Sequence, residues 1–378
     1  MPLNSWVLKG TSFLRVIHFV TGGFSGGATQ VALSLVRATQ HEPDVESILV
    51  LRKKSHMPKQ RVEALRQEGI RVYVVNNWLH LTTVVALVRL CHQLKPDVFV
   101  AHGFSEHLWG RLAAYLAGVP HIIQVEHNTR ERYTRFRYWL SRKLNTVTDA
   151  IVGCSEGVRQ VLLKRGYDAD KCTAISNGIK PDAFSELPKP ASERAGDVIM
   201  VARIAKQKDH RTLIASIGIL QQRGVRVKLQ LIGKGKARVV EPLKQQVQAL
   251  GLDAQIEFAG YRSDVPELLK NTRIFVQCTH YEGMPLTLIE AMAAGCAVIG
   301  SQVPGVQEVI AEECNGLTHR HQDAEHLADQ IERLLSDDAF CNQLGAKARQ
   351  DALSQYTQAH MSQHYLALFK RLQQGSSR

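Results

Sequence analysis

Leu14-Arg-Val-Ile-His-Phe-Val20 is a short apolar run that ends at Gly22 and Gly23, and an apolar stripe at helical spacing follows over residues 29–36. The order is strand, glycine loop, helix. It recurs in the strand 47–51, a helical stretch to Glu68, the strand 70–75, a helix through Leu94 and the strand 97–102. Strands that alternate with helices form a parallel sheet covered on both faces, because each crossover must carry the chain back before the next strand can pair. A second series begins after the proline-bearing segment 185–196, which reads as an inter-domain linker. Its strands are 197–202, 227–233, 256–260, 272–278 and 296–300. The expected fold class is therefore α/β, with doubly wound parallel sheets in two domains, residues 1–185 and 186–356. An amphipathic helix in 357–378 remains, and its sequence leaves open whether it returns to the first domain.

Size and composition agree. A chain of 378 residues exceeds the roughly 250–300 that one hydrophobic core usually serves. With 44% hydrophobic and 22% charged residues it reads as an ordinary globular protein, which excludes a disordered chain. The longest apolar stretches, 81–90 and 291–300, fall short of the ~20 residues of a spanning helix, and the N-terminus has no secretory pattern, so a cytoplasmic location is expected. Seven cysteines without metal-ligand spacing read as reduced, mostly buried thiols, and no metal site is expected. The net charge of +12 is uneven. Residues 1–180 carry 24 Lys and Arg against 13 Asp and Glu, whereas 181–378 carry 23 against 22. A basic excess in one half points to an acidic partner there: a membrane surface, a phosphorylated acceptor or nucleic acid.

The chemistry is concentrated in Glu282-Gly-Met-Pro-Leu-Thr-Leu-Ile-Glu290, which leaves the strand 272–278. Pro285 suits a first helical turn, so a helix is expected to begin at 283–286. Its free amides and the positive end of its dipole make an anion site for a diphosphate. Glu282 and Glu290 can bracket a nucleotide sugar, or they can be solvated on an ordinary crossover; spacing alone leaves both open. Arg203 and Lys208, five residues apart after the first strand of the second domain, can neutralise a diphosphate leaving group.

This segment resembles the Glu-x7-Glu signature of glycosyltransferase family 4, and the likeness extends over nearly the whole chain. The resemblance implies retaining enzymes with two Rossmann-like domains facing across a cleft, the GT-B fold, similar to bacterial transferases that assemble lipopolysaccharide and polysaccharide. It implies that Glu282 contacts the donor hexose, that the backbone of Gly283, Met284, Pro285 and Leu286 holds the β-phosphate, and that Glu290 binds the ribose. Arg203 and Lys208 match the family's Arg-x4-Lys pair. His127 matches a strand-end histidine that approaches the hexose, with His102 and His107 as weaker acceptor-side candidates. Gly22, Gly23, Gly26 and Gly27 form the first-domain phosphate or sugar loop, with Thr29 where the family has glutamate. Tyr261 and Arg262 occupy the base-contacting position. Asn177-Gly178-Ile179 reads as a structural turn, and Glu308, in a Pro-Gly-x-x-Glu variant of the family's Gly-Gly-x-x-Glu, as a fold support.

The segment Arg130–Lys143 holds six cations and one anion. On a helix, Tyr133, Phe136, Leu140, Leu144 and Val147 make one stripe that should pack on the domain, which leaves Arg132, Arg135, Tyr138, Trp139 and Arg142 for a membrane interface or for solvent. The expected reaction is transfer of a hexose or N-acetylhexosamine from a nucleotide-diphosphate sugar, a UDP-sugar favoured, to a lipid-linked glycan acceptor. It is expected to need no cofactor and no metal, and to take place at the inner face of an anionic membrane. A nucleotide-sugar 2-epimerase of the same fold and a basic nucleic-acid-binding protein are the rival readings. No nucleic acid is expected, because no recognition motif is present.

Overall fold

The computed structural model describes residues 13–375 except Ser25, His41, Ser55, His56, Asn77, Glu131 and Arg132. Seven parallel strands make the first sheet: β1 (Leu14–Thr21), β2 (Val45–Arg52), β3 (Arg71–Val75), β4 (Val98–His102), β5 (His121–Glu126), β6 (Ala150–Gly153) and β7 (Cys172–Ala174). Their order is β3-β2-β1-β4-β5-β6-β7. The crossovers carry α1 (Gly27–Thr39), α2 (Lys59–Gln67), α3 (His80–Leu94), α4 (Phe104–Leu116), α5 (Arg135–Leu144) and α6 (Glu156–Lys164). The second sheet runs β10-β9-β8-β11-β12-β13, from β8 (Gly196–Val201), β9 (Leu229–Ile232), β10 (Ile256–Gly260), β11 (Thr272–Gln277), β12 (Ala297–Ser301) and β13 (Leu317–His319). With it go α7 (His210–Gln222), α8 (Ala237–Ala249), α9 (Val265–Lys270), α10 (Leu286–Ala293), α11 (Pro304–Gln307), α12 (Ala324–Ser336), α13 (Asp338–Gln355) and α14 (Gln358–Gln374).

In each sheet the strand order reverses between its first strand and its fourth, β1 beside β4 and β8 beside β11. Loops leaving such a pair diverge to opposite faces and open a crevice at the carboxyl ends of the strands. The two crevices face each other.

Burial explains why these runs are strands: Val16, Ile17, Phe19 and Val20 of β1 are all fully buried, as both faces of a covered parallel sheet require. One apolar cluster crosses the junction between the domains, joining Cys154, Val158 and Leu162 to Met284, Leu288 and Val306. The last helix lies on the first domain, with Met361, Tyr365, Leu368 and Phe369 packed against Val16, Val98, Val100 and Ile123. Each such buried side chain contributes about 1.5–3 kcal/mol. The chain crosses back where Ile179 N donates to Tyr356 O at 2.8 Å and Gln358 N donates to Ile179 O at 2.9 Å. A side chain at Gly178 would meet Thr357 O at 2.2 Å, so the Asn177-Gly178-Ile179 turn clasps the returning strap.

Helix α5 departs from expectation. Phe136 is 61% exposed and stacks on Trp139, which is 54% exposed, at 6.0 Å between ring centroids. Tyr138 instead turns inward and donates to Arg165 O at 2.6 Å. The inner face is anchored by a fully buried Arg111, whose guanidinium donates to Ser141 Oγ and Thr148 Oγ1 and contacts His107 Nδ1 at 3.0 Å. Tyr133 OH contacts the other ring nitrogen of His107 at 2.8 Å, so His107 belongs to this network and not to an acceptor site. Arg135 and Arg142 are exposed, and Arg132 lies outside the described residues.

Candidate active site

The crevices merge into a cavity of about 460 Å³ lined from the first domain by Thr21, Gly27, His102, His127 and Asn128 and from the second by Arg203, Lys208, Glu282 and Glu290. A larger space of about 1060 Å³ continues from Arg203 and Glu290 past Lys234, Tyr261 and Arg262. Lys208 and Glu282 form an ion pair, both side chains largely buried. Two loops are tied so that these charges meet: Gln207 O accepts from His280 N at 2.8 Å, and Gln207 Nε2 donates to Tyr281 O at 2.8 Å. Gln207 was not legible as a site residue, because its role runs through backbone groups.

Helix α10 begins at Leu286, at the end of the expected range, with Pro285 as its N-cap, and no side chain caps it. Its start lines the cavity through Met284, Pro285, Leu286 and Thr287, beside Arg203 and Lys208. An uncapped helix start and two cations on one wall suit a diphosphate. Glu290 sits in the second turn, and burial pushes its carboxyl up to about 7. The folded value lies above the unfolded one, so ionising Glu290 costs stability as pH rises from the ordinary carboxylate range to about 7 and no further above it.

Several expected donor contacts are elsewhere. Gly22, Gly23 and Gly26 do not line the cavity; of the four loop glycines Gly27 does. A side chain at Gly22 would meet Met57 Sδ at 2.6 Å and Arg52 O at 2.8 Å, so close packing requires this glycine. Thr29 is fully buried and donates to the carbonyls of Thr21 and Gly23, both at 3.1 Å; it staples the loop and faces no ligand. Gly283 is buried at the junction, where an added Cβ would lie 2.1 Å from His127 O. Tyr261 and Arg262, by contrast, do line the larger space that continues from Glu290, Tyr261 exposed beside Lys234 and Arg262 paired with Asp264.

The junction is held by hydrogen bonds across it. Thr129 Oγ1 donates to Glu282 O at 3.1 Å and Ser155 Oγ to Gly283 O at 2.8 Å. Glu308 accepts from Glu156 N at 2.6 Å and Gly157 N at 2.8 Å, which caps α6 of the other domain. Among the described residues no three His, Cys, Asp or Glu side chains gather as a metal-binding set. An Asp-x-Asp triplet does occur at Asp168-Ala169-Asp170, but it precedes β7 and so stands at the sheet edge opposite the cleft.

The family model described as Glycosyltransferase Family 4 matches residues 25–183, and that for Glycosyl transferases group 1 matches residues 185–351. A Campylobacter jejuni N,N'-diacetylbacillosaminyl-diphospho-undecaprenol alpha-1,3-N-acetylgalactosaminyltransferase is 33% identical over 82% of this chain and 88% of its own. A Rhizobium meliloti lipopolysaccharide core biosynthesis glycosyltransferase is 24% identical over 94% of this chain and 98% of its own. The solved structure of Anabaena HepE in complex with UDP-glucose shares the fold, with a TM-score of 0.83 and 19% identity over 94% of this chain and 99% of that one. The chain belongs to glycosyltransferase family 4: it is a hexosyltransferase of the GT-B fold, similar to bacterial enzymes of lipopolysaccharide and polysaccharide assembly.

Proposed function

We propose that the chain transfers a hexose or N-acetylhexosamine from a UDP-sugar to a hydroxyl of a lipid-linked cell-surface glycan, with retention and without a metal ion, at the inner face of a membrane. The observation that carries this is the convergence of Arg203, the Lys208–Glu282 pair and Glu290 on one cavity that also holds His127. Arg203, Lys208 and the start of α10 take the diphosphate and the charge it gains as the anomeric C–O bond breaks. Glu282 accepts from hexose hydroxyls and Glu290 from the ribose diol. The first-domain wall brings the acceptor hydroxyl to the anomeric carbon. The lipid-linked acceptor is supported by the names of the Campylobacter and Rhizobium relatives, and the UDP-sugar by the Anabaena complex. Incubation with a panel of nucleotide sugars and a bacterial lipid extract tests the reading. Lipid-dependent UDP release with a lipid product heavier by one sugar is expected; isomerised free UDP-sugar formed without lipid would make the chain an epimerase.

No helix among the described residues is long and apolar enough to cross a membrane. The exposed Phe136–Trp139 pair stands among Arg135, Arg137 and Arg142, and Trp78, Leu79 and Leu81 at the start of α3 are also exposed. Aromatic rings between arginines suit the headgroup region, and each arginine there contributes about 1 kcal/mol. The protein is expected to float with phosphatidylglycerol vesicles at low salt and to leave them at high salt. Changing Arg132, Arg135 and Arg142 together to Ser should abolish flotation; equal flotation of both proteins would make α5 a solvated helix.

A further inference from the structure

Three imidazoles stand in a row beneath the cleft: His18 in β1, His102 at the end of β4 and His127 just after β5, on neighbouring strands. His18 Nδ1 lies 3.2 Å from His102 Nε2, and His102 Nδ1 lies 3.4 Å from His127 Nε2. The rings stack at 5.4 and 5.6 Å between centroids. Two nitrogens end the row, His18 Nε2 and His127 Nδ1, both buried and without a partner among the described residues. The His18 end is closed by Phe369 of α14, at 6.2 Å between centroids. The other end belongs to a residue of the cavity wall.

Burial keeps all three rings neutral at physiological pH, with His18 lowered to about 3, His127 to about 4 and His102 well below its ordinary value. A neutral imidazole has one N–H and one lone pair. Both contacts are hydrogen bonds only if the protons run in one direction, all on Nδ1 or all on Nε2. Both end nitrogens are buried and unpartnered, so the choice rests on which end an acceptor can reach. The all-Nε2 order leaves its free N–H on His18 behind Phe369, where no acceptor can arrive, and a permanently orphaned donor is the costlier defect. The all-Nδ1 order leaves a bare lone pair there and puts the free N–H on His127 in the cavity wall, the side from which an oxygen can come.

We infer that His18 and His102 are positioning residues that fix His127 as an Nδ1–H donor toward an oxygen of the donor hexose, so that His127 contributes a hydrogen bond and takes no proton. This rests on the reading of the cavity as the hexose site. A long-range 15N–1H spectrum of histidine-labelled, ligand-free protein tests the order without substrate. All three rings should carry the proton on Nδ1, opposite to the Nε2 form that a free imidazole prefers in water; an Nε2 proton on His127 overturns the inference. His102→Phe should mix the His127 tautomers and lower kcat at least about 10-fold with KM for the UDP-sugar within about twofold. His102→Gln, whose amide can still donate to His127 Nε2, should restore both the tautomer and most of kcat. A mixed His127 tautomer with wild-type kcat would overturn the positioning role. An intact Nδ1 order with His127→Ala fully active would instead sink the reading of the hexose site.

Discussion

Lys208→Ala is expected to lower kcat by about 10² or more, and Arg203→Ala by a similar factor, with neither protein unfolding at lower temperature than the parent by more than a few degrees. A fixed cation facing leaving-group charge in a closed cleft is worth about 3 kcal/mol in the transition state, and that is about 10² in rate. Lys208 adds a second effect, because its removal leaves Glu282 without the ion pair that aims it. Initial rates of UDP release with lipid acceptor give the answer, run with and without EDTA. The proposed metal-free scheme predicts that EDTA changes nothing. Activity abolished by EDTA but retained in both variants would replace the two cations by a metal ion.

Gly283→Ala is expected to be equally severe for a different reason. The new methyl would stand 2.1 Å from His127 O and 2.9 Å from Cys154 Sγ, both across the junction. Carbon and oxygen need more than 3 Å, so the backbones must part by about 1 Å, and a misplacement of that size costs about 10²-fold in rate. The hydrogen bonds from Thr129 and Ser155 to Glu282 and Gly283 would stretch with it. The apolar cluster that crosses the junction would loosen as well, so the unfolding temperature should fall by several degrees while each sheet persists, and rates are to be compared well below the transition. Gly23→Ala is the control: its methyl would meet only the flexible end of Lys54, at 3.4 Å, and activity should stay within a few-fold. Wild-type turnover in Gly283→Ala would show that the junction does not set the reacting geometry.

Both of these positions were read from the sequence for another purpose, and the difference is instructive. The alternation of apolar runs and helical stripes was enough to give both sheets, because runs such as 14–20 and 272–278 are long and buried on both faces. The strands β6, β7 and β13 have four, three and three residues, too few to carry a period. The stripe Met361, Tyr365, Leu368 and Phe369 announces an amphipathic α14, but only tertiary structure says which domain it covers. Glu282, Glu290, Arg203 and Lys208 stood out by their match to the family's motifs, where spacing alone left them open, and they line one cavity. Gly283 was read as a phosphate contact because its backbone matches the amides that hold the β-phosphate in the family, a match that gives no sign that its Cα side is pressed against His127 of the other domain. Phe136 was placed inside by helical spacing, which could not register that the Arg165 carbonyl draws Tyr138 inward instead. His18 carried no signal at all within an apolar strand, and its neighbours across the sheet give it a role.

The central claim, that the cleft holds a UDP-sugar with its ribose on Glu290, is tested most directly by calorimetric titration of UDP-glucose, UDP-galactose and UDP-N-acetylglucosamine into the protein and into Glu290→Gln at pH 6 and pH 8. These diphosphate diesters do not titrate in that range, whereas Glu290, held at about 7, passes from mostly protonated to mostly ionised. The ionised carboxylate accepts both ribose hydroxyls, so affinity for the preferred donor should rise by up to about tenfold from pH 6 to pH 8. Glu290→Gln should bind more weakly at pH 8 and show no such rise. No binding of any UDP-sugar, or the same pH profile in both proteins, would contradict the assignment.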